Sequence, residues 1–323
     1  MGRRLWVAGT AIGVLAVGVV VWRLTGGEVP AVLRADDCRA EVQGRTVVLA
    51  PEQAENAALI AAISTERGLP ARAATIALAT AYQESKLHNI DFGDRDSLGL
   101  FQQRPSQGWG TPRQLLDPVY ATNAFYDALE GVAGYEQLEV TVAAQEVQRS
   151  AYPDAYADHE ADARVLASAL TGESWRAFHC TVTDSPDEDS ARLDDAGLTR
   201  RAAAVRRDLQ SVFGSQSMGG FTPGGVSDGH MPGSAHYEGR AVDVFFRPVT
   251  EANKDRGWAM AHYLVAHAAR LHVKTVIFDG RVWTSGWRSD DGWRPYRPDT
   301  SGRDAGAVAV LEHRDHVHVD VFE

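Results

Sequence analysis

The apolar and polar positions fall into three regimes along the chain. From Leu5 to Trp22 no charged side chain occurs, and Arg3 and Arg4 precede the run. About 18 apolar residues is the shortest stretch that spans a bilayer as a helix. Two arginines ahead of it, against Arg23 alone directly behind, favour a cytoplasmic N-terminus and an exported remainder. The pattern predicts a membrane anchor over residues 1–24. Secretion after signal cleavage is the alternative, for which Val29-Pro30-Ala31 is a poor site because of its proline. The next regime has helical spacing. Pro51 opens a run from Glu52 to Arg67 with Ala57, Leu59, Ile60 and Ile63 apolar, and Gly68 stops it. Pro70 opens Ala71 to Leu87, carrying Ile76, Leu78, Ala79 and Tyr82, and Thr111-Pro112 is an N-cap with proline in the first helical position. Helical patterns recur over Val119–Leu129, Val140–Val147 and Glu160–Leu170, with no strand-like alternation of any length after Val48. The third regime follows Thr183–Ala196, an acidic, apolar-poor stretch that reads as an exposed linker. A helix from Leu198 to Phe213 leads into a Gly-rich segment. Strands are expected at Ala241–Phe246, Val273–Phe278, Arg281–Thr284, Val308–Leu311 and His316–Phe322, with a helix from Glu251 to Leu271 between the first two.

The expected organisation is therefore an anchor (1–24), an all-α domain (25–182), a linker (183–197) and an α+β domain (198–323). A length of 323 residues agrees with two domains. The net charge of −11 argues against a general nucleic-acid binder, whose affinity rests on neutralising phosphates. Two cysteines are too few for a disulfide scaffold or a cysteine-built zinc site. In an exported chain, Cys38 and Cys180 flank the helical segment and read as one disulfide tying its ends.

Within the helical segment, Ala81-Tyr82-Gln83-Glu84-Ser85-Lys86-Leu87 ends a helix, and Ser97-Leu98-Gly99-Leu100-Phe101-Gln102-Gln103 follows a polar loop. These elements resemble the soluble lytic transglycosylase and goose-type lysozyme group over about residues 51–170. The resemblance implies a lysozyme-like fold in which Glu84 is the catalytic acid and Gln102 and Gln103 face the sugar. An apolar setting raises a carboxyl pKa, as protonation of a leaving oxygen near neutrality requires. Asp91, Asp94 and Asp96 are candidates to position a water, so anhydro and hydrolytic products both stay open. Trp109 and Tyr152 are candidates either to stack on sugars or to pack the core. The family's later tyrosine motif has its nearest counterpart in Ala144 to Tyr152.

The sharpest motif is Ser234-Ala235-His236-Tyr237-Glu238-Gly239-Arg240-Ala241-Val242-Asp243, joined near the C-terminus by Asp315-His316-Val317-His318-Val319-Asp320. Gly239 permits a tight turn between loop and strand, and side-chain alternation puts His316 and His318 on one face. A His, Asp, His set leaves a fourth position open, the arrangement of catalytic zinc. The motifs resemble the D-alanyl-D-alanine carboxypeptidase, VanX/VanY and hedgehog-like zinc peptidases over about residues 198–323. Carried over, His236, Asp243 and His318 are Zn²⁺ ligands, Asp315 the general base, and His316 an oxyanion stabiliser beside the bound water. Ser234 is a candidate substrate contact, and His230 and His313 are candidates to sit behind the ligands. His262, His267 and His272 read as surface or core. Trp283, Trp287, Trp293 and Tyr296 either wall a groove or pack. No arginine lies between Phe213 and His230, so terminal-carboxylate specificity is unsupported and an endopeptidase is equally expected.

Together these features imply a membrane-anchored, extracytoplasmic peptidoglycan hydrolase with a glycan-cleaving module and a zinc peptidase module. The alternative is a non-catalytic wall-binding adaptor that keeps one or both folds.

Overall fold

The computed structural model describes residues 36–150, 152, 154–183 and 186–323. The expected anchor over 1–24 lies outside them. Among the described residues no helix is long and apolar enough to cross a membrane.

Strands β1 (Asp37–Val42), β2 (Arg45–Leu49) and β3 (Phe178–Thr181) form a small antiparallel sheet in the order β2-β1-β3. Its register sets Cys38 opposite Cys180, and the two form a disulfide with Cα atoms 3.9 Å apart. The expected pairing is therefore present, but it lies in a sheet that the helical reading omitted. Cys38 and Ala40 are the buried positions of β1, and the charged residues between them hide the alternation.

Helices α1 (Pro51–Glu66), α2 (Ala71–Ser85), α3 (Pro112–Leu115), α4 (Pro118–Glu130), α5 (Val140–Gln148) and α6 (Glu160–Leu170) follow the apolar periodicity closely. Thr111 caps α3 by accepting from the Gln114 amide, as its place before Pro112 predicts. Helix α2 lies at the centre of this half. Ten of its residues are buried, including Ile76, Leu78 and Ala81, and they pack against α1, α5 and α6.

The second half places α7 (Arg200–Phe213), α8 (Glu251–Ala266), α9 (Ala268–Leu271) and α10 (Ala305–Leu311) around a six-stranded sheet. Its strands are β4 (Met218–Gly219), β5 (Ala241–Phe245), β6 (Val273–Phe278), β7 (Arg281–Thr284), β8 (Arg294–Pro295) and β9 (His316–Val321), in the order β4-β5-β9-β6-β7-β8. The expected strand Val308–Leu311 is helical instead. Asp304 caps α10 by accepting from the Ala307 amide, and no α10 residue is buried. The alternating Val308 and Val310 therefore have no sheet to join.

The described residues of 183–197 form no helix or strand, yet the halves do not hang from this stretch. Residues Asp37–Glu323 make one compact unit in which α1 and α6 pack against α8. Polar ties cross the seam. Trp175 Nε1 donates to Asp255 Oδ1 at 2.7 Å, Trp283 Nε1 to the Cys180 carbonyl at 3.1 Å, and Trp293 Nε1 to the Phe178 carbonyl at 2.8 Å. Trp283 is fully buried, so packing, not a groove wall, is its role; Trp293 also packs on the core.

Candidate functional site

Strand register builds the C-terminal site. Asp243 on β5 pairs directly with His318 on β9, and Phe245 pairs with His316. The sequence-predicted His236 arrives from a 3₁₀ turn, Ala235–Glu238, in which the His236 amide donates to Ser234 Oγ at 3.4 Å. Gly239 ends this turn at φ +66°, and a Cβ there would stand 2.6 Å from the Gly197 carbonyl oxygen. Ser234 thus serves the turn that aims His236, and it also lines the groove.

Three atoms converge. His236 Nε2 lies 3.1 Å from His318 Nδ1 and 3.2 Å from Asp243 Oδ1, and His318 Nδ1 lies 3.0 Å from Asp243 Oδ1. Ligands about 2.0–2.1 Å from a tetrahedral zinc stand about 3.3 Å apart, so the triangle has the dimensions of one tetrahedral face. The outer nitrogens are committed. His236 Nδ1 donates to the Gly220 carbonyl at 2.6 Å, and His318 Nε2 donates to Asp320 Oδ2 at 3.3 Å. With the outer nitrogens protonated, neutral imidazoles turn lone pairs toward the Asp243 carboxylate, a donor set that needs a cation. The residues fit zinc on this chemistry.

Without a metal, a proton takes that place. Burial opposes charge on His318, but hydrogen bonds and attraction from Asp243 and Asp320 overcome it and push its pKa up to about 9. Asp243 is buried too, yet the His236 and His318 rings hold its carboxyl far below the usual range. Gly220, absent from the sequence reading, is required here: at φ +77°, a Cβ would stand 2.2 Å from His236 Cε1.

Asp315 and His316 form a second layer. Asp315 Oδ1 accepts from His316 Nδ1 at 2.7 Å and Oδ2 from Arg247 Nε at 2.6 Å. Burial would raise the Asp315 pKa, but His316 and Arg247 pull it down, so the carboxylate is ionised. Its Nδ1 so bound, His316 turns Nε2 toward the cluster, 3.9 Å from Asp243 Oδ1. Both Asp315 oxygens are therefore engaged, and His316 is the group of this pair that faces the cluster. His313 is half-buried beside them, its ring 4.5 Å from that of His316, and desolvation drives its pKa down to about 3. The groove over these residues measures about 560 Å³ and is also lined by Met231, Lys274 and Tyr296. Arg247 went unnoticed in the sequence because it follows β5 rather than preceding the motif. A search extended past Asp243 to the next charged residue would have found it. His262 and His267 are buried in the core, as one of the two expectations had it.

The helical half holds the other predicted acid. Glu84 lies at the end of α2, and burial raises its pKa against hydrogen bonds from Tyr156 and Gln148. Tyr156 Oη donates to Glu84 Oε1 at 2.7 Å. Tyr156, not Tyr152, is thus the tyrosine that meets the acid; Tyr152 is 75% exposed. The Glu-Ser and Gly-Leu-Phe elements are joined physically, since Ser85 Oγ donates to the Leu100 carbonyl at 2.7 Å. Gln103 corrects the expectation of a sugar contact. It is only 2% exposed, and its Nε2 donates to the Ala121 carbonyl at 3.3 Å, inside the core. Gln102 is part-exposed and bonds the Phe92 and Gly99 carbonyls. Asp96 is engaged by Arg104 and Ser106, whose hydrogen bonds hold its carboxyl well below the usual range. Gln148 and Trp109 line a cleft of about 860 Å³.

The comparisons with known proteins cover part of this. A family model described as VldE, C-terminal domain, matches residues 194–306, less than half of the chain. The match includes His236 and Asp243 and ends before Asp315, His316 and His318. No curated protein matches the sequence.

Proposed function

We propose that the protein is a peptidoglycan hydrolase of the cell envelope. In this reading His236, Asp243 and His318 hold zinc at a site that opens stem or cross-link peptides, and Glu84 protonates glycosidic oxygens of the glycan strand. The convergence of His236 Nε2, Asp243 Oδ1 and His318 Nδ1 at 3.0–3.2 Å carries the reading. Zinc, when bound, supplies Lewis acidity toward a carbonyl and lowers the pKa of water toward 7.

The chain's own residues supply the proton chemistry. Asp315 keeps the proton of His316 on Nδ1, which leaves His316 Nε2 as the acceptor facing the cluster. His316 takes a proton from the attacking water and returns it to the leaving amine, with Asp315 stabilising the charged ring. This gives His316 the base role first assigned to Asp315. Arg247 is half-exposed beside the groove and is the cation placed to receive a substrate carboxylate. At the other site, Tyr156 occupies Glu84 Oε1, so Oε2 carries the proton for the leaving oxygen. The Cys38–Cys180 disulfide fits an oxidising, extracytoplasmic compartment, and the proposed anchor would hold both sites near the wall.

The test is incubation of the purified protein with peptidoglycan, with and without chelator, and identification of products by mass. Chelator-sensitive peptide cleavage and chelator-resistant glycan cleavage that disappears in Glu84→Gln are expected. Intact peptidoglycan in every arm, with the protein still pelleting on it, would replace the enzyme by a binding protein.

A further inference from the structure

The register of β5, β6 and β9 lays the C-terminal groove out in rows. Phe245 and His316 share one row, Asp243, His318 and Ile277 the next on the same face, and Asp320 and Thr275 the one after. Arg247 stands beyond the first row, two positions past Phe245. At the opposite end β6 carries an extra residue. Val273 pairs with Val321 and Thr275 with Asp320, so two steps on β6 meet one on β9, and Lys274 is the residue between. Counted back from Val276 and Phe278, which are fully buried, strict alternation would point Lys274 into the core. The bulge turns it outward instead, to an exposed position that lines the groove. Ser285, directly after β7, holds the bulge: its amide donates to the Lys274 carbonyl at 2.9 Å and its hydroxyl to the Val273 carbonyl at 2.6 Å. The other charges at this end are engaged. Asp320 is mostly buried and accepts from His318, and Arg240 is buried and donates to Glu238. Among the described residues, the Lys274 ammonium has no carboxylate partner, and it lines the groove.

We propose that Lys274 binds a carboxylate on the acyl side of the scissile bond, so that the site takes peptides with acidic groups on both sides of it. This rests on the peptidase reading above and deepens it. The sense of the substrate follows from His316, which returns its proton to the leaving amine. The leaving part therefore lies over the Phe245 row, toward Arg247, and the acyl part runs the other way over Ile277 and Thr275. The rows of His318 and Asp320 are about 7 Å apart, which an extended peptide covers in about two residues. The carboxylate that meets Lys274 thus belongs to a residue one or two positions before the scissile bond. Lys274 stands away from the reacting atoms, so it holds substrate and transition state alike, and its contribution falls on KM.

The test uses two stem-peptide fragments that differ only in that acyl-side carboxylate, free in one and amidated in the other. Cleavage kinetics and equilibrium binding by calorimetry are both read at low salt. The wild-type protein should favour the free acid by up to about fivefold, in KM rather than kcat, and the preference should shrink as salt is added. Lys274→Gln should treat the two alike, Lys274→Glu should favour the amide, and Lys274→Arg should keep the wild-type order. Ser285→Ala keeps the charge and frees the bulge, so its preference should fall between wild type and Lys274→Gln. Elemental analysis separates each of these effects from loss of the metal. Equal treatment of the two fragments by the wild type, or a preference for the free acid that survives in Lys274→Glu, overturns the Lys274 assignment and leaves the peptidase reading intact. A wild-type protein that cleaves neither fragment yet binds the free acid more tightly overturns the peptidase reading and supports Lys274. One that neither cleaves nor binds them overturns both.

Discussion

If the His236–Asp243–His318 cluster holds a metal as proposed, metal and proton compete for the same place, and the competition has a calculable size. His318 is held protonated up to about pH 9 by Asp243 and Asp320 against the cost of burial, from an ordinary value of 6.5. A metal that takes Nδ1 must expel that proton. At pH 7 the deficit is about two pH units, or about 2.7 kcal/mol. Apparent zinc affinity should thus rise about tenfold per unit from pH 7 to 9, about a hundredfold in all, and then level off. The ion pairs of His318 also stabilise the metal-free fold. A raised pKa makes that contribution complete below about pH 6.5 and loses it as pH rises through about 9. Chelator competition between pH 6.5 and 9.5 measures the slope, and calorimetry in buffers of different ionisation enthalpy counts the protons released. Close to one proton per zinc should appear at pH 7.5. Asp320→Asn removes one of the charges holding the proton, so its slope should flatten at a lower pH than in the wild type. Affinity that is level from pH 7 to 9, with no proton release, would refute the argument that His318 is a protonated ligand.

Further expectations follow from the same contacts. His316→Ala should lower peptide cleavage by about a hundredfold to ten-thousandfold while metal content by elemental analysis stays unchanged, because His316 is not among the three converging donors. Tyr156→Phe removes a hydrogen bond that lowers the Glu84 pKa. The alkaline limb of the glycan-cleavage pH profile should therefore move upward, whereas Glu84→Gln should abolish the activity without lowering the melting temperature. Replacing Cys38 and Cys180 by serine opens a loop with a sequence separation of 142. In the chain-entropy model this costs up to about 5 kcal/mol, and denaturant unfolding with and without reductant reads it.

The helices α1, α2, α4, α5 and α6 were legible because their apolar residues recur at helical spacing, and prolines mark the starts of α1, α2 and α4. The pairing of the cysteines was legible from compartment logic, and the candidate residues of the C-terminal site from residue type. His236, Asp243, His316 and His318 are unusual in kind and clustered in sequence, and one glycine is enough to turn the chain between the first two. Other features depend on partners distant in sequence. Strands β1 and β3 owe their existence to each other, since Asp37–Val42 has too little apolar alternation to announce itself. Val308 and Val310 carry a strand-like alternation, yet the segment is an exposed helix capped by Asp304 that pairs with no strand of the sheet. Gln103 points inward because Leu98–Gln103 folds onto α4, and Tyr156 reaches Glu84 across 72 positions.

Sequence by itself singled out the side chains on which the proposed function rests, since ligand and acid are properties of residue type and short spacing. Tertiary structure alone decided how they are arranged. The β5–β9 register sets Asp243 against His318, the Gly220 carbonyl turns His236 to present Nε2, and Arg247 and His316 occupy both oxygens of Asp315. These are long-range pairings, and a local pattern carries no record of which distant strand it will meet.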